Sequence, residues 1–372
     1  MAATEMLRAV AGQALRLMVW TAGFYLLALA ATLVAFPPST ETGRSLATGD
    51  APATLYRTAP KYVVLNRGPL LDPASGPALV LLGASNVELG FPPQEVEKLL
   101  PAAAVHNLSV GGANITETAE VADLLLEAVP PERRHDLTVA IGLWYGLFTD
   151  DRQLWPGRPT DIDIERFRYG LYRKDEASGA VEPVLPVRWL PAAALLLRPF
   201  LALDVMVKGN LAPLRVRLLG RPHDAGRMPP TLDDAGRHAR SLAFWRNYVG
   251  TDGPLSDEQF ERLNRLVRRL SEAGVRVLLV DLPLPQWHAR RSPHYADYQQ
   301  RKRRWIDAAL ALPDVRYASL QDFSNEADYI DEVHPTPEAA QRWVRRLVGA
   351  LIEGGGDTGR VAARSGLDGW QP

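Results

Sequence analysis

Three short runs constrain the fold more than anything else in this chain. Ala78 to Leu82 (ALVLL), Leu137 to Ile141 (LTVAI) and Val275 to Val280 (VRVLLV) are apolar with almost no polar alternation. A strand with one wet face alternates, so Ala78 to Leu82 and Val275 to Val280 read as buried strands, and Leu137 to Ile141 as a third strand beside them. Two shorter strands are expected around Ala103 to Asn107 and Val315 to Ala318. Helices are expected at Pro93 to Leu100, Ile115 to Val129, Ser256 to Ala273 with Ser256 as N-cap, and Tyr295 to Ala311. Pro335 is expected to open a closing helix that runs to about Ile352. Strands alternating with helices in this way predict an α/β fold with a doubly wound, mostly parallel sheet.

The N-terminus adds a second constraint. No charge occurs from Leu17 to Thr40, and Leu17 to Phe36 is almost continuously apolar. At ~1.5 Å per residue such a helix crosses a ~30 Å hydrocarbon layer. Arg8 and Arg16 precede the run, whereas Glu41 and Arg44 follow it. The positive-inside bias then makes residues 1–36 a single-pass anchor with its N-terminus in the cytoplasm and the rest of the chain periplasmic or otherwise extracytoplasmic. A cleaved signal peptide is the rival reading, since Ala28-Leu29-Ala30 resembles a processing site, but the apolar run continues past it.

Residues 37–76 begin rich in Pro, Thr, Ser, Gly and Ala and read as a tether and lead-in. Residues 77–149 and 250–353 carry the strands and helices as two parts of one domain. Between them, residues 150–249 break the alternation with prolines and mixed charge, which is the pattern of an inserted cap. Within it, Trp189 to Val207 is strongly apolar but holds Arg198 and Asp204 and is interrupted by Pro191 and Pro199. A buried helical hairpin is expected there rather than a membrane-lying one, because intramembrane charges are costly. The tail 354–372 reads as disordered.

Composition excludes several functions. Lys and Arg (42) cancel Asp and Glu (43), so no global field favours nucleic acid. With no cysteine, disulfides, zinc-thiolate sites and cysteine nucleophiles are ruled out. No metal-ligand spacing or phosphate loop occurs, and no cofactor is expected.

Three segments carry chemistry. Gly83-Ala84-Ser85-Asn86 follows the first strand and sets the Ser85 hydroxyl at the carboxyl edge of the sheet, where open α/β sheets hold ligands. A serine there is also a common turn or N-cap residue. Asn107 to Asn114 (NLSVGGAN) follows the second strand; its adjacent glycines allow close backbone approach, so the Gly112 and Ser85 amides could face one oxyanion. Asp331-Glu332-Val333-His334-Pro335 precedes the last helix. A carboxylate three residues ahead of a histidine can hold one ring nitrogen and leave the other to take a serine proton.

Together the three segments resemble the SGNH (GDSL-like) hydrolase superfamily, whose blocks follow successive strands in this order. The resemblance covers roughly Ala78 to Ile352 without the cap. It implies a five-stranded sheet in the flavodoxin-like order 2-1-3-4-5, with Ser85 as nucleophile, His334 as general base and Asp331 as its orienter. Ser85 and Gly112 amides are then the oxyanion donors. The family usually supplies a further Asn after the third strand, where this chain reads Gly142-Leu143-Trp144-Tyr145-Gly146. Trp144 or Tyr145 could replace that donor, or both could pack in the core. A single span before such a domain is similar to proteins that handle acyl groups on envelope polymers, in alginate and cellulose O-acetylation and lipoteichoic-acid D-alanylation. That similarity implies an acylated glycan or other ester as substrate and a multispanning membrane acyltransferase as partner.

Asn86, Asn114 and His288 are further candidates for substrate contact. His288 and His294, with Arg290 and Arg291, are otherwise expected in a solvated loop, and Arg301 to Arg304 on an exposed helix face. Acyl-ester chemistry through a Ser85 acyl-enzyme, with water or a glycan hydroxyl as acceptor, is the leading reading. The alternative is a non-catalytic envelope assembly or binding protein on a degenerate scaffold.

Overall fold

The structure is a computed structural model that describes residues 2–38, 55–71, 76–207, 234–250 and 254–353. Most of the expected tether, part of the expected cap and the tail lie outside these residues.

Five strands form one parallel sheet: β1 (Ala78–Leu82), β2 (Ala104–Asn107), β3 (Leu137–Leu143), β6 (Arg276–Asp281) and β7 (Val315–Ser319). Their order is β2-β1-β3-β6-β7, which is the expected 2-1-3-4-5 once the strands of this sheet are numbered alone. Leu79 to Leu82 are each at most 2 % exposed, so β1 is covered on both faces, as its missing alternation requires. Burying each of these side chains contributes about 1.5–3 kcal/mol.

Helices flank the sheet. The closing helix α13 (Pro337–Glu353) packs on α3 (Ser85–Gly90) and α4 (Pro93–Leu99). A second group joins α5 (Ile115–Ala128), α10 (Asp257–Glu272) and α12 (Pro293–Leu310), and the short α11 (Gln286–Arg291) leads into α12. Ser256 stands at the N-cap position of α10 without a side-chain cap bond; instead its amide donates to the Phe148 carbonyl at 3.0 Å.

The closing helix begins two residues later than expected. Tyr329 and Pro335 form an antiparallel bridge, the Ile330 amide donates to the His334 carbonyl at 3.0 Å, and the Thr336 amide to the Asp328 carbonyl at 2.7 Å. These bonds hold 334–336 extended. Thr336 is also kept from helical geometry by the proline after it, so Pro337 opens the helix.

The segment between β3 and α10 contains a small antiparallel pair, β4 (Tyr172–Lys174) and β5 (Val181–Pro183), and helices α6 (Asp161–Arg168), α7 (Leu190–Leu196), α8 (Arg198–Val207) and α9 (Asp234–Val249). Before β1, α2 (Ala59–Leu65) packs on α6. The α7–α8 pair departs from the buried hairpin expected of it: Leu196 is 54 % and Phe200 58 % exposed. At the N-terminus, α1 (Ala2–Ala35) is one continuous 34-residue helix, long and apolar enough to cross a membrane.

Candidate active site

The carboxyl edge of the sheet gathers the three segments. Gly83 follows β1 at φ +144°, and a Cβ there would come within 2.6 Å of Val87 Cγ2 and 3.1 Å of the Gly142 carbonyl. Only glycine lets α3 start so close to the sheet, and Ser85 is the first residue of that helix. Its amide therefore has no acceptor within the helix.

From the other side, the extended 334–336 strap presents His334. Nε2 of His334 lies 2.8 Å from Ser85 Oγ, and Nδ1 lies 2.6 Å from Asp331 Oδ2. Asp331 Oδ1 accepts from the Val333 and His334 amides at 2.9 and 2.8 Å. Burial alone would raise the Asp331 carboxyl, but the His334 ring and these two amides outweigh it and hold it below the usual carboxylate range. It is thus an anion that fixes the imidazole with Nδ1 protonated and Nε2 toward Ser85. The histidine side chain is 21 % exposed and the aspartate 32 %, so the triad opens to solvent. Glu88, one turn along α3, has its carboxyl raised by burial, and its proximity to His334 opposes that rise.

Asn107 locks the loop after β2. Its amide donates to the Val87 and Phe91 carbonyls, both at 3.3 Å, and its Oδ1 accepts from the Ser109 amide at 3.1 Å. The exposed Gly112 follows at φ +75°. Asn114 caps α5, accepting from the Glu117 amide at 3.3 Å and donating to the Thr149 carbonyl and Asp151 at 3.0 and 2.7 Å. Being 0 % exposed, Asn114 serves the fold and offers nothing to a substrate. Asn86 is 1 % exposed, and neither atom of its amide group has a hydrogen-bond partner among the described residues.

The third loop divides the two donor candidates. Tyr145 is 0 % exposed and its hydroxyl pairs with His288 Nε2 at 2.8 Å. His288 is itself 0 % exposed, with Nδ1 on the Glu332 carbonyl at 3.0 Å. Burial keeps this imidazole neutral, its pKa lowered to about 4. Neither side chain is free to reach a substrate, so the expected roles of Tyr145 as oxyanion donor and His288 as substrate contact do not fit. His294 is likewise buried, in place of the solvated loop expected. Trp144 differs: its indole N–H is buried and has no partner among the described residues. Of the basic run on α12, Arg303 and Arg304 are exposed as expected, whereas Lys302 pairs with the buried Asp281 and Arg301 with Asp257 and Asp297.

Sequence reasoning overlooked α9. Trp245 Nε1 donates to Glu332 at 3.2 Å, and its ring stands edge-on to Trp144 at 5.0 Å. Tyr248 donates to the Gly112 carbonyl at 2.6 Å. Phe244, Trp245 and Tyr248, at i, i+1 and i+4 on a helix, were the available signal.

The chain matches no protein-family model and no curated protein sequence. Among solved structures, it is similar to one from Bacteroides fragilis NCTC 9343 described as a "putative acylhydrolase". That similarity is 12 % in identity with a TM-score of 0.39, over 78 % of this chain and 94 % of the other. A likeness this remote does not bear on function.

Proposed function

We propose that this protein is a serine acyl-ester hydrolase or O-acyltransferase of the SGNH type, held to a membrane by α1 with its site on the extracytoplasmic side. The hydrogen-bonded chain Ser85–His334–Asp331 carries the reading. In the reaction, Ser85 Oγ attacks the ester carbonyl carbon while its proton passes to His334 Nε2. Charge gathers on the carbonyl oxygen, which the amides of Ser85 and Gly112 stabilise. The C–O bond to the alcohol breaks, the alcohol leaves with the proton from Nε2, and Ser85 keeps the acyl group. Water or a glycan hydroxyl then attacks the acyl-serine, again losing its proton to His334, and the serine is restored.

The substrate class, acyl groups on an envelope glycan, and a multispanning acyltransferase as partner follow only from architectural resemblance. A fluorophosphonate probe should label the wild-type protein and leave Ser85→Ala unlabelled. Absence of labelling in folded wild-type protein would favour the non-catalytic scaffold. A reporter enzyme fused after Pro372 tests sidedness, and activity in the cytoplasm would reject the orientation.

A further inference from the structure

Helices α7 and α8 are bent by 52° at their break and present an apolar outer surface. Trp189, Leu196, Phe200 and Leu203 are 55, 54, 58 and 55 % exposed. The two charges in this stretch are both engaged within the protein. Arg198, 2 % exposed, donates to the Phe36 carbonyl just past the end of α1. Asp204 accepts from Lys61 of α2 at 2.8 Å, and Lys61 is itself 3 % exposed. Arg198 is thus buried, and Asp204, whose side chain is 31 % exposed, is held in an ion pair with the buried Lys61, so neither charge stands alone against lipid.

The position of the pair is equally specific. Along α1 the partly covered residues are Tyr25, Leu29, Thr32 and Leu33, one face of the helix, with Phe36 continuing the series just past its end. The Tyr25 hydroxyl donates to the Leu196 carbonyl, and its ring lies 5.9 Å from that of Phe200. Tyr25 precedes Phe36 by three turns, about 16 Å along the axis, which is near the middle of a hydrocarbon layer ~30 Å thick. At about 10 and 15 Å, α7 and α8 are too short to cross such a layer. Away from the face that meets the pair, α1 is exposed and apolar too, with Phe24 and Leu27 66 and 67 % exposed. Arg188 sits over the Trp189 ring at 6.0 Å, the pairing of charge and indole that suits the headgroup level.

We propose that α7–α8 is seated in the bilayer leaflet that holds the C-terminal half of α1, with its outer face against lipid acyl chains. The proposal rests on α1 spanning the membrane. Its consequence is orientation. A lone span leaves the domain free to turn about the helix axis, whereas a second insertion tied through Lys61–Asp204 fixes which side faces the bilayer.

Because the chain contains no cysteine, single labels can be placed without removing any native residue. Full-length Phe200→Cys, Leu203→Cys, Leu27→Cys and Glu176→Cys, each carrying an environment-sensitive fluorophore, are reconstituted in phosphatidylcholine–phosphatidylglycerol vesicles. Quenching by doxyl-labelled lipid and by aqueous iodide is compared. Labels at 200 and 203 should follow the one at 27, quenched by the lipid and spared by iodide, with the order reversed at 176. If iodide reaches 200 and 203 while 27 stays in lipid, the hairpin lies in water and the proposal fails alone. Protection of 200 and 203 from both quenchers would mean a protein covers them, which also overturns it. Should iodide quench 27, the spanning helix on which the proposal rests is itself wrong.

Discussion

Tyr248, on α9, donates its hydroxyl to the carbonyl of Gly112 at 2.6 Å, and so ties the segment between β3 and α10 to the loop proposed to hold the oxyanion. One turn earlier, Trp245 binds Glu332, between Asp331 and His334. A single helix therefore bridges two loops of the candidate site. Burial pushes the Tyr248 phenol up to about 12, so it remains a protonated donor through the physiological range. Gly112, at φ +75°, lies where a glycine backbone has great freedom, and this bond restricts it. Tyr248→Phe should lower kcat on a model acetyl ester up to about tenfold, on the scale of one net hydrogen bond. KM and melting temperature should change little. Unchanged kcat would show that the loop holds its shape unaided.

The triad gives a graded expectation. Ser85→Ala should abolish acyl-enzyme formation. Asp331→Asn keeps the shape of the side chain but removes the charge and permits the wrong imidazole tautomer, so kcat should fall by ~10³–10⁴-fold. Steady-state hydrolysis with trapping of the acyl-serine by mass spectrometry would read both. An Asp331→Asn variant with near wild-type kcat would remove Asp331 from the mechanism.

The sheet was legible because its three central strands are buried on both faces, and a run such as Ala78–Leu82 announces that by lacking alternation. Ser85 and His334, 249 positions apart, were legible through the short segments around them, each tied to a strand end or to the last helix. What stayed hidden depends on long-range packing. Tyr145 and His288, 143 positions apart, pair with each other, and no local pattern reveals that. The helix start at Pro337 rather than Pro335 is set by strap bonds from 328–330, which helix rules do not contain. In α8, Asp204 looked costly for a lipid neighbour because its partner Lys61 lies 143 residues away.

Stability should depend on pH through Glu117. Burial first, then the nearby Asp161 and Glu120 charges, raise its pKa from 4.5 to about 8, although the Asp161 and Ile162 amides it caps work against the rise. Glu120 shifts the same way, to about 7. A carboxyl that holds its proton more tightly folded than unfolded contributes fully below the unfolded value, and that contribution is lost as pH rises through the folded one. The melting temperature should therefore fall between pH 4.5 and 8 for this reason. Glu117→Gln, which keeps an acceptor for both amides, should flatten the slope and leave the smaller part due to Glu120. An identical slope in the variant would mean that Glu117 ionises alike in both states.

The last expectation concerns the donor that an Asn supplies in SGNH hydrolases. The Tyr145 hydroxyl is committed to His288 Nε2 at 2.8 Å, whereas the Trp144 N–H is buried beside Trp245 with no partner among the described residues. An unpaired buried N–H is costly, and a developing oxyanion would satisfy it in the transition state. Trp144→Phe should then lower the acylation rate by ~10²-fold with little change in KM. Tyr145→Phe should do the opposite. It strands a buried imidazole nitrogen and costs about 1–3 kcal/mol of stability, while the rate per folded molecule stays near wild type. Single-turnover acylation and chemical denaturation, run on both variants, separate the two roles. If Trp144→Phe acylates at the wild-type rate, the amides of Ser85 and Gly112 suffice and the indole only packs. If instead Tyr145→Phe loses the rate and keeps its stability, the phenol must leave His288 during the reaction, and the assignment of the two residues is reversed.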